Sequence, residues 1–203
     1  MNSVVHNWKV FGLEDSVRAS KYPMAVNVDD VAFGITDNVR KLASCEKGSG
    51  HDQFLTGIIV QFDLTFSIKA WVEAERYHFL DFVSSQSTMH RITRLDPAIQ
   101  CNEYVDDFLI GYMRGLIDAY NKQPTPETYL RVLYNTPLGF RLTARMTTNY
   151  RQLKTIYSQR RTHRLPEWRE FCKWVEGLPH SDFITGGEPH VGEQQSYPAS
   201  AGS

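Results

Sequence analysis

Cysteine is scarce in this chain: Cys45, Cys101 and Cys172 are its three, and no two of them stand as C-x-x-C. An odd, scattered set supports neither a disulfide framework nor a zinc knuckle, and a reducing cytoplasm is the expected setting. No stretch approaches the roughly 18 apolar residues of a membrane span, and residues 1–10 lack the basic start and apolar run of an export signal. A soluble protein without membrane contact is expected. Charge of one sign is missing as well. A formal net charge of -1 argues against a general nucleic-acid coat and in favour of a local anion site. Neither G-x-x-x-x-G-K-[ST] nor G-x-G-x-x-G occurs, so any phosphate is expected to be held by side chains. The seven histidines show no H-E-x-x-H or H-x-H spacing, and no metal site is expected.

With 41% apolar residues in 203, the chain can bury a full core as one domain. Residues 1–30, broken at Pro23, read as an N-terminal arm. Residues 31–179 read as the domain, and residues 180–203, rich in Gly, Pro, Ser, Glu and Gln, as a disordered tail. Ile58, Val60, Phe62, Leu64 and Phe66 alternate with other residues at a period of two, which predicts a strand with one buried face. Leu142, Ala144 and Met146 predict a second. Helices are predicted over residues 36–43, 69–87, 104–121, 126–134, 149–160 and 167–176. The third carries a stripe of Phe108, Tyr112, Leu116 and Tyr120, and the fourth has Thr125 at its cap and Pro126 at its first position.

Two segments stand out chemically. Gln86-Ser-Thr-Met-His-Arg91 ends one predicted helix. In the other, Asn149, Leu153, Ile156, Arg160 and Arg164 recur every three or four residues, a stripe mixing packing residues with charge that reads as a binding wall. From Phe140 to Lys173 the cations are Arg141, Arg145, Arg151, Lys154, Arg160, Arg161, Arg164, Arg169 and Lys173, against Glu167 and Glu170. An anion site is expected there. The same residues also admit a solvated charged helix pair, or a DNA-reading helix that the near-zero net charge counts against.

In order, these features resemble the flavin-dependent thymidylate synthases (ThyX) over residues 37–178. Ser44, at the end of the first helix, is similar to a family Ser, and His51 to a His before the strand. Gln86, His90 and Arg91 keep the offsets of a Gln that precedes an Arg-His-Arg triplet. Glu127, Arg131 and Thr136-Pro-Leu138 are similar to a Glu and Arg ahead of a Leu-Pro. Asn149-Tyr-Arg151, with Arg160 eleven residues after the Asn, matches without a gap. Met89 stands where the triplet begins with Arg, and Ile99 where the family has Ser.

The resemblance implies an α/β (α+β) fold, with helices packed on a mostly antiparallel sheet, that binds a pyrimidine nucleotide. It implies reductive methylation of dUMP with FAD, using methylenetetrahydrofolate and NADPH as co-substrates. Arg160 is implied as catalytic, beside the base. Ser44, His51, His90, Arg91, Asn149 and Arg151 are implied on the cofactor, and Gln86, Arg131 and Arg160 on the substrate. It also implies a homotetramer sharing active sites between subunits. The alternative is a non-catalytic protein of the same fold that sequesters or senses a nucleotide.

Overall fold

The computed structural model describes residues 3–46 and 48–187. Four strands, β1 (Val5–Phe11), β2 (Ile59–Ser67), β3 (Asp81–Ser85) and β4 (Arg141–Asn149), form one antiparallel sheet in the order β1-β2-β4-β3. Ten α-helical segments among the described residues surround it: α1 (Leu13–Ala19), α2 (Asp37–Ser44), α3 (Ile68–Ala74), α4 (Thr88–Arg91), α5 (Pro97–Gln100), α6 (Asp107–Lys122), α7 (Pro126–Tyr134), α8 (Tyr150–Arg160), α9 (Pro166–Glu176) and α10 (Asp182–Thr185). The architecture is the expected α/β one. No helix among the described residues is long and apolar enough to cross a membrane.

The alternation in β2 sets the main core. Val60, Phe62, Leu64 and Phe66 are fully buried, while Gln61, Asp63 and Thr65 on the other face are partly exposed. Against the buried face lies α9, which starts on Pro166 and turns Trp168, Phe171, Cys172 and Val175 inward. Phe62 meets Trp174 and Phe66 meets Trp168, each with ring centroids 4.8 Å apart. Burying one such side chain stabilises the fold by about 1.5–3 kcal/mol. A second, smaller core joins Met113, Leu116 and Ile117 of α6 to Val132, Ile92 and Phe140.

Four expectations are corrected. The helix predicted over residues 69–87 stops at Ala74. The chain then turns through Phe79, and Asp81–Ser85 pairs with the free edge of β4. Pairing with a distant strand outweighs local helical spacing here, in a segment whose Phe-Val-Ser-Ser run favours strand over helix. Residues 1–30 are not merely an arm, because Val5–Phe11 is an edge strand of the sheet. Six of its seven residues are at least partly exposed, so no buried alternation marks it. In α6 the buried face is Met113, Leu116 and Ile117, and Phe108 stays 80% exposed. Finally, the start of the expected tail is ordered: α10 buries Phe183 and Ile184, and Asp182 pairs with Arg40. Residues 188–203, also expected to be disordered, lie outside the described residues.

Candidate functional site

At the end of β4 the strand passes directly into α8. The Tyr150 N–H donates to the Ile58 carbonyl at 3.0 Å, and the Asn149 Oδ1 caps the helix by accepting from the Gln152 N–H at 2.9 Å. A cleft of about 860 Å³ opens beside this junction. Asn149, Arg151, Gln152, Lys154, Thr155 and Ser158 line it from β4 and α8, and Gly48, Asp52, Gln53, Thr56 and Phe79 face them.

The stripe expected to form a binding wall is instead α8's packing face: Leu153, Ile156 and Arg160 are buried. The cleft takes the adjacent face of the helix. Arg164 lies beyond the end of α8 and is exposed.

A residue that spacing did not reveal organises the cleft. Asp52 is 2% exposed and accepts from Arg151 Nε at 3.0 Å and from Lys154 Nζ at 3.1 Å. Lys154 also reaches the carbonyls of Ala43 and Cys45 at 2.6 and 2.9 Å, and Arg151 Nη1 donates to Gln53 Oε1 at 2.8 Å. One carboxylate and two cations thus fasten the loop after α2 onto α8 and leave the cleft locally positive. Arg151 Nη2 makes no hydrogen bond among the described residues, so it is open to a ligand. Asp52 sits in a Gly- and Ser-rich stretch with no local signal; the only pointer is the pair of cations three residues apart on one helix.

The other expected site residues divide into three places. Ser44 and His51 are exposed near the same loop; the Ser44 hydroxyl is turned back onto the Arg40 carbonyl at 2.9 Å. Arg160 is 6% exposed and does not line the cleft. Its Nε donates to the Tyr77 hydroxyl at 2.6 Å, its Nη1 to Glu73 Oε2 at 2.8 Å, and its guanidinium carbon lies 4.8 Å from the Trp168 ring centroid. Gln86, His90, Arg91 and Arg131 are exposed at the opposite end of the sheet. There the Gln86 amide oxygen accepts from the Thr143 N–H at 2.8 Å, and the Tyr129 hydroxyl lies 2.7 Å from the Met89 carbonyl, joining α7 to α4. Thr143 is six residues before Asn149, so at about 3.3 Å per strand residue the two groups stand roughly 20 Å apart.

The electrostatics around Arg160 are strongly coupled. Burial pushes the Glu73 carboxyl up, but the Lys69 ammonium, His163 and Arg160 outweigh it and hold it below the usual value. Burial and then the neighbouring Arg160 cation push the His163 imidazole down. The imidazole is held from both sides: Nδ1 lies 3.2 Å from the Leu165 N–H, and Nε2 lies 2.7 Å from Arg160 Nη1 and 3.2 Å from Glu73 Oε2. No group of three His, Cys, Asp or Glu side chains among the described residues is placed to hold a metal ion.

The architecture is thus an α/β one in which a cleft carrying two cations and one carboxylate sits where the central strand enters a helix. Among solved structures it is that of the flavin-dependent thymidylate synthases. The chain is similar to ThyX from Helicobacter pylori complexed with FAD and dUMP, at 15% identity and a TM-score of 0.69, over 90% of this chain and 98% of that one. A second structure of Thymidylate Synthase X (ThyX) from Helicobacter pylori, with FAD and dUMP, gives 13%, 0.67, 90% and 96%. The UMP/dUMP methylase PolB from Streptomyces cacaoi, bound with 5-Br dUMP, gives 15%, 0.56, 85% and 87%. No protein-family profile matches the chain, and no curated protein does. The chain has a ThyX-like fold, at identities where the likeness is one of fold.

Proposed function

We propose that the protein is a divergent flavin-dependent thymidylate synthase-like enzyme. It would reductively methylate dUMP, or a related pyrimidine deoxynucleotide, with FAD as its flavin, methylenetetrahydrofolate as carbon donor and NADPH as reductant. The carrying observation is the cationic cleft at the junction of β4 and α8, in a fold whose solved neighbours hold FAD and dUMP. Its residues fit such a group: Arg151 and Lys154 offer positive charge to phosphates, and Phe79 offers an exposed ring. FAD, when bound, supplies reducing equivalents. The protein's own part is then orientation and charge.

In this reading Asn149 and Arg151, with Ser44 and His51 nearby, hold the flavin. His90 and Arg91 complete that group, and Gln86, Arg131 and Arg160 serve the nucleotide. Because Gln86, bonded to Thr143, stands about 20 Å from Asn149 along β4, a second copy of the chain would bring the two groups into one site. A homotetramer with shared sites, working in cytoplasmic pyrimidine metabolism, follows from the same resemblance. Mixing Asn149→Ala and Gln86→Ala protomers, each inactive alone, should then restore part of the activity.

A specific observation favours a second reading, a nucleotide-binding protein without flavin chemistry: the Arg160 guanidinium is buried against Glu73, Tyr77 and Trp168. The visible spectrum of the purified protein, before and after adding FAD, separates the two. Bound, reducible flavin that responds to dUMP supports the enzyme. No flavin under either condition supports the binding protein.

A further inference from the structure

Phe79 is out of place on two physical counts. Its φ is 64°, in the left-handed region where a bulky side chain is strained, and its ring is 65% exposed, where an aromatic gains little from burial. The fold nonetheless fixes it. Behind it Tyr77 and Leu80 are buried, and the Thr148 hydroxyl donates to the Phe79 carbonyl at 2.6 Å. The turn therefore holds an apolar ring out into the wall of the cleft that Asn149 and Arg151 also line.

We propose that Phe79 is a stacking platform for the planar heteroaromatic ring of a phosphate-bearing ligand whose phosphate meets Arg151. An aromatic face and a guanidinium with a free Nη2 in one cleft match the two ends of such a molecule, and neither serves the other's need. Packing does not account for the ring, because most of its surface faces solvent. Backbone geometry does not require it either, because glycine takes this φ without strain. This inference rests on reading the cleft as the site of a flavin or nucleotide, and it adds which residue grips the ring.

The test uses the full-length protein and its Phe79→Gly and Phe79→Tyr variants. FAD, FMN and ADP affinities are measured by titration calorimetry, and melting temperatures by circular dichroism. Phe79→Tyr keeps the face and should bind like the wild type. Phe79→Gly should lose roughly tenfold or more in affinity, the scale of one ring–base stack, while melting no lower than the wild type. The comparison of FMN with ADP tells which ring stacks. Equal affinity in wild type and Phe79→Gly overturns the platform and leaves the flavin reading standing. An equal loss in both variants also overturns it, because the face would not be the contact. A wild type that binds none of the three ligands overturns both.

Discussion

Arg160 and Tyr77, 83 residues apart in sequence, meet at 2.6 Å, the guanidinium Nε–H donating to the phenol oxygen. The Tyr77 hydroxyl in turn donates a hydrogen bond to Gln159 Oε1 at 2.9 Å, so α8 grips the turn before β3 at two points. That turn presents Phe79 to the cleft, and the buried Arg160 thus positions one wall of the site without lining it.

Removing Arg160 takes from the mostly buried Glu73 one of its two ion-pair cations, leaving Lys69, and empties the space between Tyr77 and Trp168. Arg160→Ala should lower unfolding stability by about 3 kcal/mol, read from urea titration, and Arg160→Lys by less. A change near zero would mean that the network contributes nothing to the fold. Any loss of turnover in Arg160→Ala must therefore be judged against its stability.

Asp52→Asn tests the other network. The amide keeps the shape but leaves Arg151 and Lys154 facing a neutral group, so stability should fall by about 2–3 kcal/mol. Affinity for inorganic phosphate should rise as positive charge in the cleft is released. An unchanged urea midpoint would remove Asp52 from its role as the link between loop and helix.

What the sequence made legible was local. The alternation of β2 and the Thr125 cap with Pro126 at the first helical position are signals spanning a few residues, and both appear in the structure. β1 and β3 were illegible because edge strands exposed on both faces carry no period-two burial. The α8 stripe was found with the right residues and misread in direction: its Arg160 is satisfied in the core, and the polar face beside it opens to the cleft. The basic run was real, but Arg145 is paired with Asp63, Arg151 and Lys154 with Asp52, and Arg160 with Glu73, acids that lie far away in sequence.

His163 and His180 give stability a pH dependence. Burial pushes both imidazoles below the ordinary 6.5, helped by Arg160 in the first case and by Arg40 in the second. The unfolded chain therefore binds protons more readily, and the stabilisation present above about pH 6.5 drains away as pH falls through the lowered values. Glu73, held below 4.5, keeps its contribution until more acid conditions. Unfolding free energy should be level from pH 7 to 8 and decline toward pH 5. His163→Asn, whose amide oxygen can still accept from Leu165, should flatten part of that decline. An identical slope in the variant would exclude His163 as a source.

Cys172 reports on whether α9 stays docked. Burial pushes its thiol up to about 12, with the Glu176 carboxylate adding to the effect, and the side chain is packed in the core beside Phe171 and Val175. At pH 8 only roughly one molecule in ten thousand would carry the reactive thiolate even if reagent could reach it. Cys45, partly exposed in the loop after α2, has no such protection by packing. Iodoacetamide should label Cys45 first and leave Cys172 untouched until urea unfolds the chain, with labelling tracking the loss of circular dichroism. Comparable native-state labelling at both positions would show that α9 leaves the sheet on its own. The aromatic contacts of Phe62 and Phe66 with Trp168 and Trp174 would then be too weak to close the core, and the Trp168 surface beneath Arg160 would move with them.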